Sequence, residues 1–280
     1  KAVGFTGSYT AGKQIFDWGN SREEPIPVFA EMGSTNPVYI LPGKMKESAE
    51  TYAVELSKSI LTDAGQFCTK PGIIVIQNDD YAGTFIKTLQ EKINDAIPVS
   101  MLNEGIYQNY ELKKKLSTDQ KEVKKISTTT QSNEPLVGTA LLTSITAKEF
   151  MANKILRQEV FGPYCLIVLC NDINEMKQVA TQMEGQLTCT LGATIKEAEQ
   201  QKELLKILQS TCGRFIFNGV PTGVEVCPAM QHGGPFPATT YSMFTSVGAD
   251  GIKRFTRPLA FQNVAEELLP DALKEINPLK

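Results

Sequence analysis

Short apolar runs alternate with amphipathic stretches along most of this chain, and that alternation restricts the folds open to it. Residues 73–77, 165–169, 187–193 and 215–217 read as apolar strands. Residues 46–61 carry Ala49, Tyr52, Ala53, Leu56 and Ile60 at helical spacing, and helices are expected over 81–93, 173–183 and 196–208. Strands separated by helices predict an α/β fold, a parallel or mostly parallel sheet covered by helices. Further strands are expected at 2–5, 26–30, 37–41 and 136–142, with helices at 10–18, 104–125 and 147–153. The Gly/Pro density of 221–240 predicts a long ordered loop, and 256–264 reads as a last strand.

Charge and cysteine usage exclude several functions. A formal net charge of -3 lacks the basic excess of a nucleic-acid-binding protein. The lysines around 113–115 and 121–125 alternate with acids and read as a solvated helix face. No apolar run is long enough to cross a bilayer, so no membrane partner is expected. Six cysteines without a Cys-x-x-Cys pair, and a single His, predict no metal centre. Several sit in apolar runs, which suits buried thiols in a reducing compartment and a cytoplasmic location. The chain opens at Lys1-Ala2-Val3-Gly4-Phe5 with no initiator Met and no signal peptide, as though it began inside a domain.

One cysteine stands apart. Cys68 lies in Gly65-Gln66-Phe67-Cys68-Thr69-Lys70-Pro71-Gly72, between a helical stretch and the strand at 73–77. A thiol at such a junction can be reached from a cleft and can face backbone N–H groups, two conditions that favour its reactive form. Such a nucleophile needs a base to release its product. Glu31 ends the apolar run Ile26-Pro27-Val28-Phe29-Ala30, at the carboxyl end of a strand, where open α/β sheets place their sites. His232 offers a Cys-His dyad, but its Gly/Pro-rich loop equally suits a His that only bonds backbone, so a carboxylate is the expected base. Glu159 in Glu159-Val160-Phe161-Gly162-Pro163 pairs an acid with an aromatic ring before a forced turn. Its carboxylate could grip sugar hydroxyls while Phe161 packs on a flat group. Gly7-Ser8 could present N–H groups to an anion at a helix start.

In order and spacing, Phe5-Thr6-Gly7-Ser8, Glu31-Met32-Gly33-Ser34-Thr35-Asn36-Pro37, Gly65-Gln66-Phe67-Cys68-Thr69 and Glu159-Val160-Phe161-Gly162-Pro163 resemble the aldehyde dehydrogenase superfamily. Pro25–Pro37, Phe217-Asn218-Gly219-Val220-Pro221-Thr222-Gly223-Val224 and His232-Gly233-Gly234-Pro235-Phe236-Pro237-Ala238-Thr239 look like its α-ketoglutaric semialdehyde (2,5-dioxovalerate) dehydrogenases. The resemblance implies Cys68 as nucleophile, forming a thiohemiacetal and then a thioester, and Glu31 as the base that activates water. It implies NAD or NADP as cofactor, near Gly7, Ser8, Met32 and Gly33, with Glu159 on the nicotinamide ribose and Phe161 beside it. Phe67 is expected to line the aldehyde pocket, and His232 to remain a loop residue.

Family members are nearly twice this length. The half without a counterpart here holds most of the dinucleotide-binding fold, an Asn oxyanion donor and a Lys that contacts the cofactor. The resemblance therefore implies a remnant of the cofactor domain at 1–30, a catalytic domain at 31–235, and a loop, oligomerisation strand and tail at 236–280. It further implies an incomplete cofactor site, a homo-oligomer for the intact protein, and weak or absent activity for this chain alone. At Met243 the subgroup carries an Arg suited to a carboxylate-bearing substrate. The competing readings are a cofactor-independent thiol esterase or acyltransferase, and a non-catalytic structural fragment.

Overall fold

The structure, a computed structural model, describes residues 1–130 and 134–277. It is an α/β fold built on a seven-stranded sheet with a separate two-stranded sheet at the amino end. The two-stranded sheet pairs β1 (Val3–Thr6) with β2 (Val28–Glu31) in parallel, joined by α1 (Tyr9–Asn20). Val28, Ala30 and Met32 form its small core with Val3, Phe5, Ile15 and Phe16.

The large sheet follows. Its strands are β3 (Val38–Ile40), β4 (Ile73–Gln77), β5 (Lys124–Thr128), β6 (Leu141–Thr146), β7 (Tyr164–Cys170), β8 (Gln186–Gly192) and β9 (Cys212–Phe217). They lie in the order β5-β6-β7-β4-β3-β8-β9. Every neighbouring pair is parallel except β5 with β6.

Parallel strands need crossover helices, and those helices bury both faces of the sheet. Along β3 and β4 the pleat sends successive residues to opposite layers. Val38, Ile40, Ile74 and Ile76 pack with Tyr52, Leu56 and Ile60 of α2 (Pro42–Leu61) and Phe85, Leu89 and Ile93 of α3 (Ala82–Asn94). Tyr39, Ile73 and Val75 face the other way. They pack with Tyr110 of α4 (Glu104–Thr118), Phe150 of α5 (Ala147–Ala152), Met176 and Val179 of α6 (Ile173–Thr181), and Leu204 and Leu208 of α8 (Lys202–Ser210). The intervening α7 (Ile195–Gln200) is separated from α8 by Gln201, whose φ of -107° and ψ of 44° break the helix expected over 196–208.

Three other expectations shift. The polar helix expected over 104–125 stops at Thr118, and the chain returns as β5, an antiparallel edge strand. The strand expected at 136–142 begins only at Leu141, because Leu136 sits at a φ of 62° outside the extended region. Residues 256–264 form no strand within this chain; they are exposed and irregular after a 3₁₀ turn at Ala249–Phe255. All six cysteines are free thiols, with Cys165, Cys170 and Cys189 buried. Among the described residues, no helix is long and apolar enough to cross a membrane.

Candidate active site

The amino ends of β3, β4, β8 and β9 meet the carboxyl end of β2, and the sequence-predicted residues collect in that seam. Glu31 is the last residue of β2, where the sequence expects it. Relative to the large sheet, however, the site lies at the amino edge, since residues 31–36 lead into β3 and Cys68 precedes β4.

Cys68 follows a 3₁₀ turn, Thr62–Gly65, in which Asp63, Ala64 and Gly65 take φ values of 48°, 53° and 65°. At Gly65 a side chain would also strike the backbone of Gly162, so the turn is open only to glycine there. The loop beyond it is clamped from below. The Asn36 Nδ2 donates to the carbonyls of Cys68 (2.9 Å) and Lys70 (3.0 Å), while its Oδ1 accepts from Ser34 Oγ and Thr188 Oγ1, both at 2.9 Å. Gln186 Oε1 accepts the backbone N–H groups of Thr35 (2.7 Å) and Asn36 (3.1 Å). Lys70, itself buried, donates to the carbonyls of Val160 (3.2 Å) and Tyr164 (2.8 Å). The Ser34-Thr35-Asn36 motif is thus a bracket that fixes the nucleophile's loop to the sheet, with its buried polar groups paired to one another.

His232 approaches from the opposite side, and its position is the main departure from the sequence expectation. Its Nε2 lies 3.3 Å from Cys68 Sγ and 3.3 Å from Glu31 Oε1. The loop also bonds backbone, as expected: His232 N–H donates to Thr245 Oγ1 (2.9 Å), and Ser246 N–H donates to the His232 carbonyl (2.8 Å). Two glycines let the loop lie against β8 and β9. A Cβ at Gly213 would overlap the Gly233 carbonyl, and one at Gly234 would overlap that of Gln186. The other Glu31 oxygen, Oε2, accepts from Ser246 Oγ at 3.0 Å.

Both Glu31 and His232 are about 5% exposed, so their charges interact through little water. Burial works to raise the Glu31 carboxyl, but hydrogen bonds from His232 and Ser246 and the charges of His232 and Arg254 hold it below its ordinary value of 4.5. Burial likewise opposes protonation of His232, and contact with Cys68 and Glu31 overcomes it, lifting the imidazole to about 9. The signs are opposite for the two partners. The Glu31 contribution to stability is present above its ordinary value and lost on acidification. The His232 contribution is complete below about 6.5 and lost as pH rises through about 9.

Because this chain has one His, the imidazole signals in its NMR spectrum belong to a single residue. In chelator-treated protein they are expected to titrate near 9, and to move down toward 6.5 in Glu31→Gln. A wild-type midpoint at or below 6.5 would refute the ion pair.

The residues singled out for a cofactor occupy the neighbouring surface. Gly7 and Ser8 are exposed at the start of α1; Ser8 caps the helix by accepting the Ala11 N–H at 3.3 Å. Met32 is buried instead, its side chain packed under Gly12 of α1 and its N–H bonded to the Ala238 carbonyl (2.8 Å). The Glu159 carboxylate rests on Gly33, whose φ of 107° and missing side chain make room for it. Glu159 is half-buried, and burial pushes its carboxyl up to about 7 against the pull of Lys70 and the Ser34 N–H. Phe161 and Phe67 are half-buried.

The sequence reading missed Asn36, Lys70, Gln186, Thr245 and Ser246 as parts of the site. Asn36 alone left a local signal, a polar residue just before an apolar strand and its proline.

The chain belongs to the aldehyde dehydrogenase family, whose model matches residues 1–257. Its sequence is 38% identical to alpha-ketoglutaric semialdehyde dehydrogenase 2 of Azospirillum brasilense, over all of this chain and 53% of that protein. It is 39% identical to alpha-ketoglutaric semialdehyde dehydrogenase of Acinetobacter baylyi, again over all of this chain and 53% of the relative. The chain therefore spans about half the length of the curated relatives it matches. In fold it is similar to aldehyde dehydrogenase from Bacillus cereus, with a TM-score of 0.75 and 16% identity over 92% of this chain and 50% of that one. Gamma-glutamyl-gamma-aminobutyraldehyde dehydrogenase from Burkholderia cenocepacia is similar at a TM-score of 0.73 and 16% identity, over 90% of this chain and 50% of that one.

Proposed function

We propose that this chain is the catalytic half of an NAD(P)-dependent aldehyde dehydrogenase that oxidises a semialdehyde, such as α-ketoglutaric semialdehyde, to a carboxylate. The observation that carries the reading is the convergence of Cys68 and Glu31, which the folding of distant segments brings within 4.8 Å of each other. Cys68 Sγ adds to the aldehyde carbon to form a thiohemiacetal. NAD or NADP, held beside Glu159 and the Gly7-Ser8 turn, would supply the hydride acceptor that this oxidation needs, and Cys68 Sγ would keep the acyl group as a thioester. Glu31, ionised because its carboxyl is held low, takes a proton from the water that attacks the thioester, and the acid departs. His232 keeps its positive charge beside both groups at neutral pH.

The chain's surface fits the cofactor in part. The exposed start of α1 at Ser8 is suited to a phosphate, with the Gly7 N–H itself bonded to the Glu31 carbonyl at 3.0 Å, and the Glu159 carboxyl beside Gly33 is suited to a ribose hydroxyl. Residues 1–30 are read as part of the dinucleotide-binding domain, 31–235 as the catalytic domain, and 236–280 as loop and tail. Residues 278–280 lie outside the described residues. The exposed segment 256–264 is read as an oligomerisation strand awaiting a neighbour's sheet, in a cytoplasmic homo-oligomer.

The contact of His232 with Cys68 favours one competing reading, a Cys-His-Glu hydrolase that cleaves esters without a nicotinamide. The natural polypeptide carrying these residues, given a semialdehyde, is expected to reduce NAD or NADP in step with acid formation. Ester cleavage that proceeds unaffected by NAD(P), with no aldehyde-dependent reduction of either nucleotide, would establish the hydrolase instead.

A further inference from the structure

We propose that Cys68, His232 and Glu31 form a three-ligand site for Zn²⁺, and that its occupation withdraws Cys68 from reaction with electrophiles. The donor set is a thiol sulfur, an imidazole nitrogen and a carboxylate oxygen, all within 4.8 Å of one another. These are the three ligand types zinc takes, and three protein ligands leave one position open to water.

The spacing also fits. With Zn–N and Zn–O near 2.1 Å and Zn–S near 2.3 Å, a tetrahedron has N···O and N···S edges of about 3.4 and about 3.6 Å. The observed Nε2···Oε1 and Nε2···Sγ separations are both 3.3 Å. The two edges at Nε2 need shifts of a few tenths of an ångström, and the Sγ···carboxylate edge, which lies within 4.8 Å, closes to about 3.6 Å by rotation of the Cys68 and Glu31 side chains. Three segments far apart in sequence supply the ligands, and hydrogen bonds hold each of them: the Cys68 carbonyl by Asn36, His232 by Thr245 and Ser246, and Glu31 by Ser246. The Ser246 hydroxyl on Glu31 Oε2 is the kind of outer partner that orients a metal-binding carboxylate.

A thiolate and an imidazole select zinc and metals of similar softness over Mg²⁺ and Ca²⁺. The sequence gives no sign of such a site, because its ligands follow no fixed spacing. The inference does not depend on the aldehyde reaction, since it concerns the same three side chains whatever substrate they serve.

The test uses the present chain, stripped of metal and titrated with Co²⁺ as a spectroscopic stand-in. One equivalent is expected to give the intense visible bands of tetrahedral cobalt with a sulfur-to-cobalt charge-transfer band, and Zn²⁺ to displace it. Cys68→Ser should lose the charge-transfer band, while Cys227→Ser keeps it. His232→Gln and Glu31→Gln should each weaken binding by at least about a hundredfold, because even an outer-sphere partner is worth about 10–100-fold. Circular dichroism checks that each variant is folded. Zn²⁺ should also slow alkylation of Cys68 by iodoacetamide at least tenfold without protecting Cys227, and Mg²⁺ should do neither. A cobalt spectrum that is octahedral, or that survives unchanged in folded Cys68→Ser, would overturn the proposal, as would alkylation of Cys68 that Zn²⁺ leaves unaltered.

Discussion

Cys68→Ser is expected to lower aldehyde-dependent NAD(P)H formation by more than about 10⁴-fold while leaving the fold intact. The substitution exchanges sulfur for oxygen at a half-buried position, so packing changes little. The chemistry changes far more. A serine hydroxyl holds its proton much more tightly than a thiol, and the resulting oxygen ester would lack the activated acyl carbon of a thioester. His232 already carries a proton, which leaves it poorly suited to remove one from serine. Initial rates of nucleotide reduction in the natural polypeptide check the result. A variant within tenfold of wild type would mean that the sulfur is not the attacking atom.

The second large effect separates two jobs that Glu31 could do. If it activates the deacylating water, Glu31→Gln should preserve a first burst of about one NAD(P)H per site and slow later turnovers by about 10²–10⁴-fold, the usual worth of a positioned base. Glutamine keeps an oxygen for the Ser246 hydroxyl, so the side chain should stay in place. If Glu31 instead acts by holding His232 against Cys68, the burst itself should slow in the same proportion as the steady state. Rapid-quench or stopped-flow measurement of burst amplitude and rate distinguishes the outcomes, and the account predicts the first.

Much of this architecture is legible in the sequence for a physical reason. β4 and β7 are buried on both faces, so they show as uninterrupted apolar runs, and the helices between them carry one apolar stripe each. β5 is hidden because it is an edge strand in which Ile126 is the one apolar residue among Lys124, Lys125, Ser127 and Thr128, continuous in composition with the polar helix before it. β6 was misplaced because Thr143 and Ser144 are buried polar residues. The hydroxyl of Thr143 is paired with that of Tyr164 at 2.8 Å, so polarity at that strand does not mean exposure.

The site divides along the same line. Cys68, Glu31 and Glu159 sit in motifs whose order along the chain gave them away. His232 did not, because its partners are 164 residues from it in one case and still farther in the other. Gly/Pro density says that a segment is a loop, not what it lies against. The nearest sequence signal is Gly234, which with Gly213 permits the close approach to β8 and β9 that brings the imidazole to the sulfur.

The most direct test is to look for the acyl group itself. Glu31→Gln, mixed with a semialdehyde and NAD(P) and quenched in acid within the burst, is predicted to carry the thioester on the peptide containing Cys68 and on none of the other five cysteines. Acid product formed while that peptide stays unmodified at every time point would contradict covalent catalysis at Cys68.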